Sequence, residues 1–227
     1  MPLFSVTDLV GLCFFLFAWI TYTATLAWFE QRKRGLNREM GAYRELWMKQ
    51  MLARDMRMVD AQIVAALQNG TAFFASTSLI AVGGALTVLR STPQILEVVG
   101  TLPFGVQTTA VLWEAKAMGL AVILVYAFFK FAWAYRLYNY LAILVGATPP
   151  ATQKDSEEAQ AHAIRLARLC DVAGRHFNRG QRAFFFALAY LGWFISPWLL
   201  MATSVIVAII LWRRQFASDS RRALIGF

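Results

Sequence analysis

Apolar residues in this chain gather into four long runs, separated by stretches in which charge is dense. About 20 residues of α-helix cross the roughly 30 Å of hydrocarbon in a bilayer, and each run is of that order. The pattern predicts an all-α fold, an integral membrane helical bundle with four membrane segments at about 6–29, 71–89, 117–137 and 183–212. Two long amphipathic helical lobes, about 30–66 and 148–182, lie between them, and the whole forms one membrane domain.

The runs differ in kind. The first carries Trp19, Tyr22, Trp28 and Phe29 toward one end, an interfacial aromatic signature. The second carries Ser76, Thr77, Ser78, Gly83, Gly84 and Thr87. Because small residues let helix backbones approach closely, it is expected to be the most protein-buried helix. The third continues in apolar character to about residue 147, so it is expected to leave the membrane as helix until Thr148-Pro149-Pro150 stops it. The fourth is interrupted by Ser196-Pro197, which should kink or stop it.

Charge orients the scheme. The stretch 30–66 holds eight Lys or Arg against five acids, and 148–182 holds six Lys or Arg, whereas the loop after the second run offers only Arg90 and Lys116. Positive loops stay in the cytoplasm, so the N-terminus is expected outside, in a bacterial inner membrane. Four spans would then leave the tail outside too, yet it carries Arg213, Arg214, Arg221 and Arg222. Either those charges are outvoted by the earlier segments, the reading preferred on sequence, or the fourth run is a re-entrant hairpin that turns at Ser196-Pro197 and returns the tail to the cytoplasm.

Composition agrees with a membrane protein and narrows the chemistry. The 227 residues are 59% hydrophobic and 15% charged, with mean hydropathy +0.50, too apolar for a soluble domain of this length. The net charge of +9 sits beside apolar runs, where membrane topology accounts for it, so no nucleic-acid partner is expected. Cys13 and Cys170 lack disulfide or metal-site spacing and are read as free thiols. His162 and His176 have no second ligand at a metal-binding step. With no glycine-rich phosphate loop, paired helical histidines or nucleophile elbow, neither enzymatic activity nor a cofactor is expected.

Five residues are candidates for a pore or ion contact. Lys130 falls inside an apolar run, where an ionisable side chain points to function unless it can snorkel to the headgroups. Gln68 and Asn69 stand at the expected mouth of the second span, Thr77 lies on its small face, and Arg136 lies among tyrosines at the expected interface. Arg54, Arg57 and Asp60 are spaced for ion pairs within one helix. Met48, Met51 and Met56 fall on an apolar stripe with Val59 and Ile63, a surface that could repack around a protein partner.

The phrase Asp60-Ala61-Gln62-Ile63, running on through Leu67-Gln68-Asn69-Gly70-Thr71-Ala72-Phe73-Phe74-Ala75-Ser76, together with Ala134-Tyr135-Arg136-Leu137-Tyr138-Asn139-Tyr140, resembles a family of multi-pass membrane proteins of bacteria and plants, the DUF599-like proteins. The resemblance covers nearly the whole chain and implies membrane localisation, with no activity attached. Two functions fit the residues: a homo-oligomeric pore or transport protein with anion preference, or a membrane scaffold that docks a protein partner through its cytoplasmic helices. Both place the chain among membrane lipids.

Overall fold

The computed structural model describes residues 4–32, 36–101 and 109–216, which are helical with no strand among them. The helices are α1 (Val6–Arg32), α2 (Leu36–Leu52), α3 (Met58–Arg90), α4 (Thr92–Thr101), α5 (Ala110–Gly146), α6 (Glu157–Tyr190) and α7 (Pro197–Phe216). Four of them, α1, α3, α5 and α7, are long and apolar enough to cross a membrane.

The helices form an elongated bundle with two unlike ends. At one, called here the lobe end, α2, the start of α3, the end of α5 and the first half of α6 enclose a core of their own, built on Met48, Met51, Leu52, Val64, Leu141, Leu166 and Cys170. Toward the other, called the tip, α1, α5, α7 and the second half of α6 pack through aromatic rings. Trp19 stacks on Phe186 at 5.3 Å and Phe15 meets Tyr190 edge-on at 5.3 Å. Such contacts add directional preference to the burial of large rings.

Long helices tie the two ends together. At 37 residues, α5 is about 55 Å long, and its continuation past the expected span is as the sequence implied. It ends at Gly146, ahead of the two prolines, and its end and the chain just past it are held by side chains from other elements. Arg57 donates to the Thr148 carbonyl at 2.7 Å and to that of Pro149, and His162 Nε2 lies 3.0 Å from the Leu144 carbonyl. The first turn of α6 carries Glu157 and Glu158, and Ser156 caps it by accepting from the Ala159 N–H at 3.2 Å. Both features suit the positive end of the helix dipole.

The run 183–212 is divided between two helices. After Tyr190 the chain tightens into a 3-10 turn over Leu191–Phe194, and α7 then starts at Pro197, whose missing N–H costs nothing at that position. Helix α7 returns antiparallel to α6: Thr203 Oγ1 donates to the Ala189 carbonyl at 2.8 Å and Arg214 to Gln181 Oε1 at 3.3 Å. It runs parallel to α1, for Gly11 lies against Pro197 at one end and Phe29 against Trp212 at the other. Arg213 and Arg214 therefore lie toward the lobe end. Arg221 and Arg222 fall outside the described residues.

Close packing also differs from expectation. The most buried of the four apolar helices is α5, with α3 among the least. Thr71, Ser78 and Ala85 are buried, while Ser76, Gly83, Gly84 and Thr87 face outward. A run of small residues says that a helix can be approached closely but not which side is. Close approach is made instead on α5 and α6, where a Cβ at Gly180 would come within 2.8 Å of the Phe131 ring. Phe131 is wholly buried, so Gly180→Ala should lower stability by about 1–3 kcal/mol. Gly84→Ala, with nothing within 4 Å of the added carbon, should leave it unchanged or slightly raised. Thermal unfolding of the two variants in one detergent checks the contrast.

Candidate functional site

At the tip, three helices contribute to one buried polar cluster. Asp8 lies in the first turn of α1, Lys116 in the second turn of α5, and Trp193 in the turn after α6. Trp193 Nε1 donates to Asp8 Oδ1 at 2.8 Å, and Ser5 Oγ donates to Asp8 Oδ2 at 2.6 Å. Lys116 Nζ donates to the Trp193 carbonyl at 2.8 Å, stands 3.8 Å from Asp8 Oδ1 and lies 5.3 Å from the indole centroid. The Lys116 side chain is only 3% exposed. An ammonium so enclosed persists only with a counter-charge and acceptors; here it has a carboxylate, a carbonyl and an aromatic face. Asp8 and Lys116 stand near the ends of apolar runs, so a search for charges within runs passes over them; only the fold shows that they meet.

The lobe is pinned by ion pairs between distant residues. Arg44 of α2 reaches Asp171 of α6 at 2.6 Å, lying across Gly174, where a side chain would collide with the guanidinium. Asp60 is fully buried and its Oδ1 accepts from Trp47 Nε1 at 2.7 Å and Arg54 at 2.6 Å. Its other oxygen has no hydrogen-bond partner among the described residues. The spacing had suggested Arg57 as partner, but the chain breaks between α2 and α3, and Arg57 turns to the end of α5. Burial pushes the Cys170 thiol up to about 11, with Asp171 opposing and Arg44 favouring ionisation, so it is a packed core thiol. Both cysteines are free.

The same break divides the expected methionine stripe. Met48 and Met51 are 0% exposed inside the lobe, while Met56 is 74% exposed. A stripe at helical spacing stays on one face only if the helix is continuous, and here it restarts at Met58. Met56 therefore joins Met58, Val59 and Ile63 on the outside of α3, and the two buried methionines are core.

The five candidate ion contacts do not converge. Helix α3 begins at Met58, so Gln68 and Asn69 are mid-helix and form no mouth. Gln68 donates to Asn139 Oδ1 on α5 at 2.7 Å, Asn69 is exposed, and Thr77 Oγ1 donates back to the Phe73 carbonyl at 2.8 Å. Lys130 Nζ lies 5.1 Å from the Tyr126 ring centroid, and Arg136 donates to the Tyr140 hydroxyl at 2.7 Å. Four of the five thus have a partner of their own, and none of those partners is shared. Nearby on α6, the His176 ring meets Trp133 edge-on, with centroids 6.4 Å apart. Among the described residues no group of three or more His, Cys, Asp or Glu is placed to hold a metal ion.

A family model described as a protein of unknown function, DUF599, matches residues 10–220. No curated protein and no solved structure matches the chain.

The tip cluster yields a prediction. Lys116→Met should leave Asp8 buried without its counter-charge and cost about 3–5 kcal/mol, and Lys116→Met with Asp8→Asn should recover a large part of that loss. Equilibrium unfolding in detergent measures both, and equal losses in the single and double variants would remove the ion pair from the account.

Proposed function

The chain belongs to the DUF599 family of proteins of unknown function, and from that premise we propose that it is an oligomeric membrane protein crossing the bilayer five times, with its lobe in the cytoplasm. The reading supplements the four apolar helices with the second half of α6. That half runs through the bundle between α5 and α7, and hydropathy passes over it because the first half of the helix is charged. Charge favours the orientation: the lobe end gathers the arginines of α2, α6 and α7, whereas the tip carries Arg90 and Lys116 against Asp8, Glu97 and Glu114. An odd number of crossings keeps Arg213 and Arg214 on the cytoplasmic side, which supports the hairpin over an outvoted tail.

The observation that carries self-association is the outer face of α3. That helix packs chiefly on α5, and along the depth of the membrane it turns Ser76, Gly83, Gly84 and Thr87 outward, between Phe73 and Ile80. Hydrocarbon gains little from small polar residues, whereas a second helix gains close contact. Copies of the protein associate through this face, and a passage between them conducts small anions, favoured by the basic residues at the lobe end. Bacterial inner membrane is the corresponding location. The exposed apolar group Met56, Met58, Val59 and Ile63 favours a second reading, in which the lobe docks a protein partner there.

Gly83→Leu, at a site open on the protein's own surface, should leave the fold intact and shift the protein toward monomer in mild detergent, measured by cross-linking and light scattering. In liposomes, chloride flux should exceed potassium flux and fall several-fold in Gly83→Leu. Absence of flux from folded, oligomeric protein would exclude conduction and leave the docking role.

A further inference from the structure

On the flank away from α3, two adjoining cavities open between the ends of α1 and α7, the start of α2 and the middle of α6. They measure about 330 and 90 Å³ and share Leu26, Asn37, Asn178 and Arg182. Arg214 lines the larger, and Arg175 and Arg179 line the smaller; among the described residues no acidic side chain lines either. The amides are ordered, with Asn178 Nδ2 donating to Asn37 Oδ1 at 3.1 Å. Arg214 is steered along α6 by its bond to Gln181 and by the Phe185 ring beneath it, 5.5 Å from centroid to guanidinium.

The lining is two-sided. Opposite the arginines the larger cavity is walled by Tyr22, Leu26, Leu36 and Leu211. Tyr22 and Leu26 belong to the last turns of the apolar run of α1, and Leu211 and Arg214 to the last turns of α7, which places the cavity where hydrocarbon gives way to headgroups. Beyond Tyr22 a groove of about 350 Å³ runs between α1 and α7, walled by Phe14, Phe17, Ile209 and Trp212 with almost no polar surface. Tyr22 borders both spaces.

We propose that these spaces form one binding site for an anionic phospholipid, in which Arg182 and Arg214 hold the phosphate and the groove between α1 and α7 takes an acyl chain. Guanidinium groups match phosphate oxygens with paired donors, and Arg179 adds positive charge nearby, whereas Arg175 is paired with Asp171 at 3.4 Å. The groove is what selects a lipid over a soluble phosphate. A specific site also differs from the general attraction of a basic surface to an anionic leaflet, because it saturates at a fixed stoichiometry. The site contains no residue of α3, so it stands or falls apart from self-association.

The test is native mass spectrometry of the full chain in detergent, titrated with phosphatidylglycerol or phosphatidylcholine. Phosphatidylglycerol should bind saturably, at one molecule per chain, and more tightly than phosphatidylcholine. R182Q with R214Q should weaken it by roughly tenfold or more, whereas R165Q with R168Q, exposed on the distal lobe, should not. If the first pair disturbs folding, R214Q alone removes an exposed residue and should weaken binding several-fold. Inorganic phosphate in large excess should fail to displace the lipid; displacement would reassign the site to a soluble phosphate. Equal binding of the two lipids, or phosphatidylglycerol binding unchanged in R214Q and in the double variant, would overturn the proposal.

Discussion

A lysine ammonium enclosed in an apolar bundle must be surrounded by acceptors, and the tip of this protein is organised around that requirement. Lys116 finds them only where the first turn of α1 supplies Asp8 and the turn after α6 supplies the Trp193 carbonyl. Three segments remote in sequence are thereby set at one level. Once α6 must end there, the chain turns, and Ser196-Pro197 allows α7 to begin at once in the opposite direction. The antiparallel hairpin, the parallel pairing of α1 with α7 and the return of Arg213 and Arg214 toward the lobe follow from that one alignment.

The lobe solves a different problem with similar means. Its core is mostly aliphatic, with Tyr138 among its buried side chains, and the long helices that wall it are extensions of those that pack toward the tip, so their relative rotation is already set by aromatic contacts farther along. What remains is to fix α2 and the loops. Arg44 with Asp171 fastens α2 to α6, Asp60 with Arg54 and Trp47 closes the turn into α3, and Arg57 with His162 holds the end of α5. Polar groups in the lobe thus act as fasteners between elements, which explains why so few of them are left to converge on a site.

Much of the fold was legible in the sequence because its strongest signals are one-dimensional. Run length gave the apolar helices, and the two prolines after Thr148 gave the end of α5. Signals that need a direction around the helix were not legible. Small residues on α3 could face protein or lipid, and only the position of α5 decides. The methionine stripe depended on a helix continuous through residues 53–57, and the turn there moved Met56 to the outside while leaving Met48 and Met51 in the core. Pairings across the bundle, such as Asp8 with Lys116 or Arg182 near Arg214, have no local signature, and both polar sites are made of such pairings. The hairpin was hinted at by Ser196-Pro197 within the fourth run and by the arginine-rich tail, which four spans place outside only by letting the earlier segments outvote it.

The most direct test of this account is the sidedness of the two ends. In a cysteine-free background, Gln94→Cys at the tip and Arg213→Cys at the end of α7 can be probed in intact cells with a membrane-impermeant maleimide. Labelling of residue 94 from outside, with residue 213 labelled only after permeabilisation, is the predicted result. Labelling of residue 213 from outside would mean that α7 does not return to the lobe side, and would contradict the hairpin and the alignment built on Lys116.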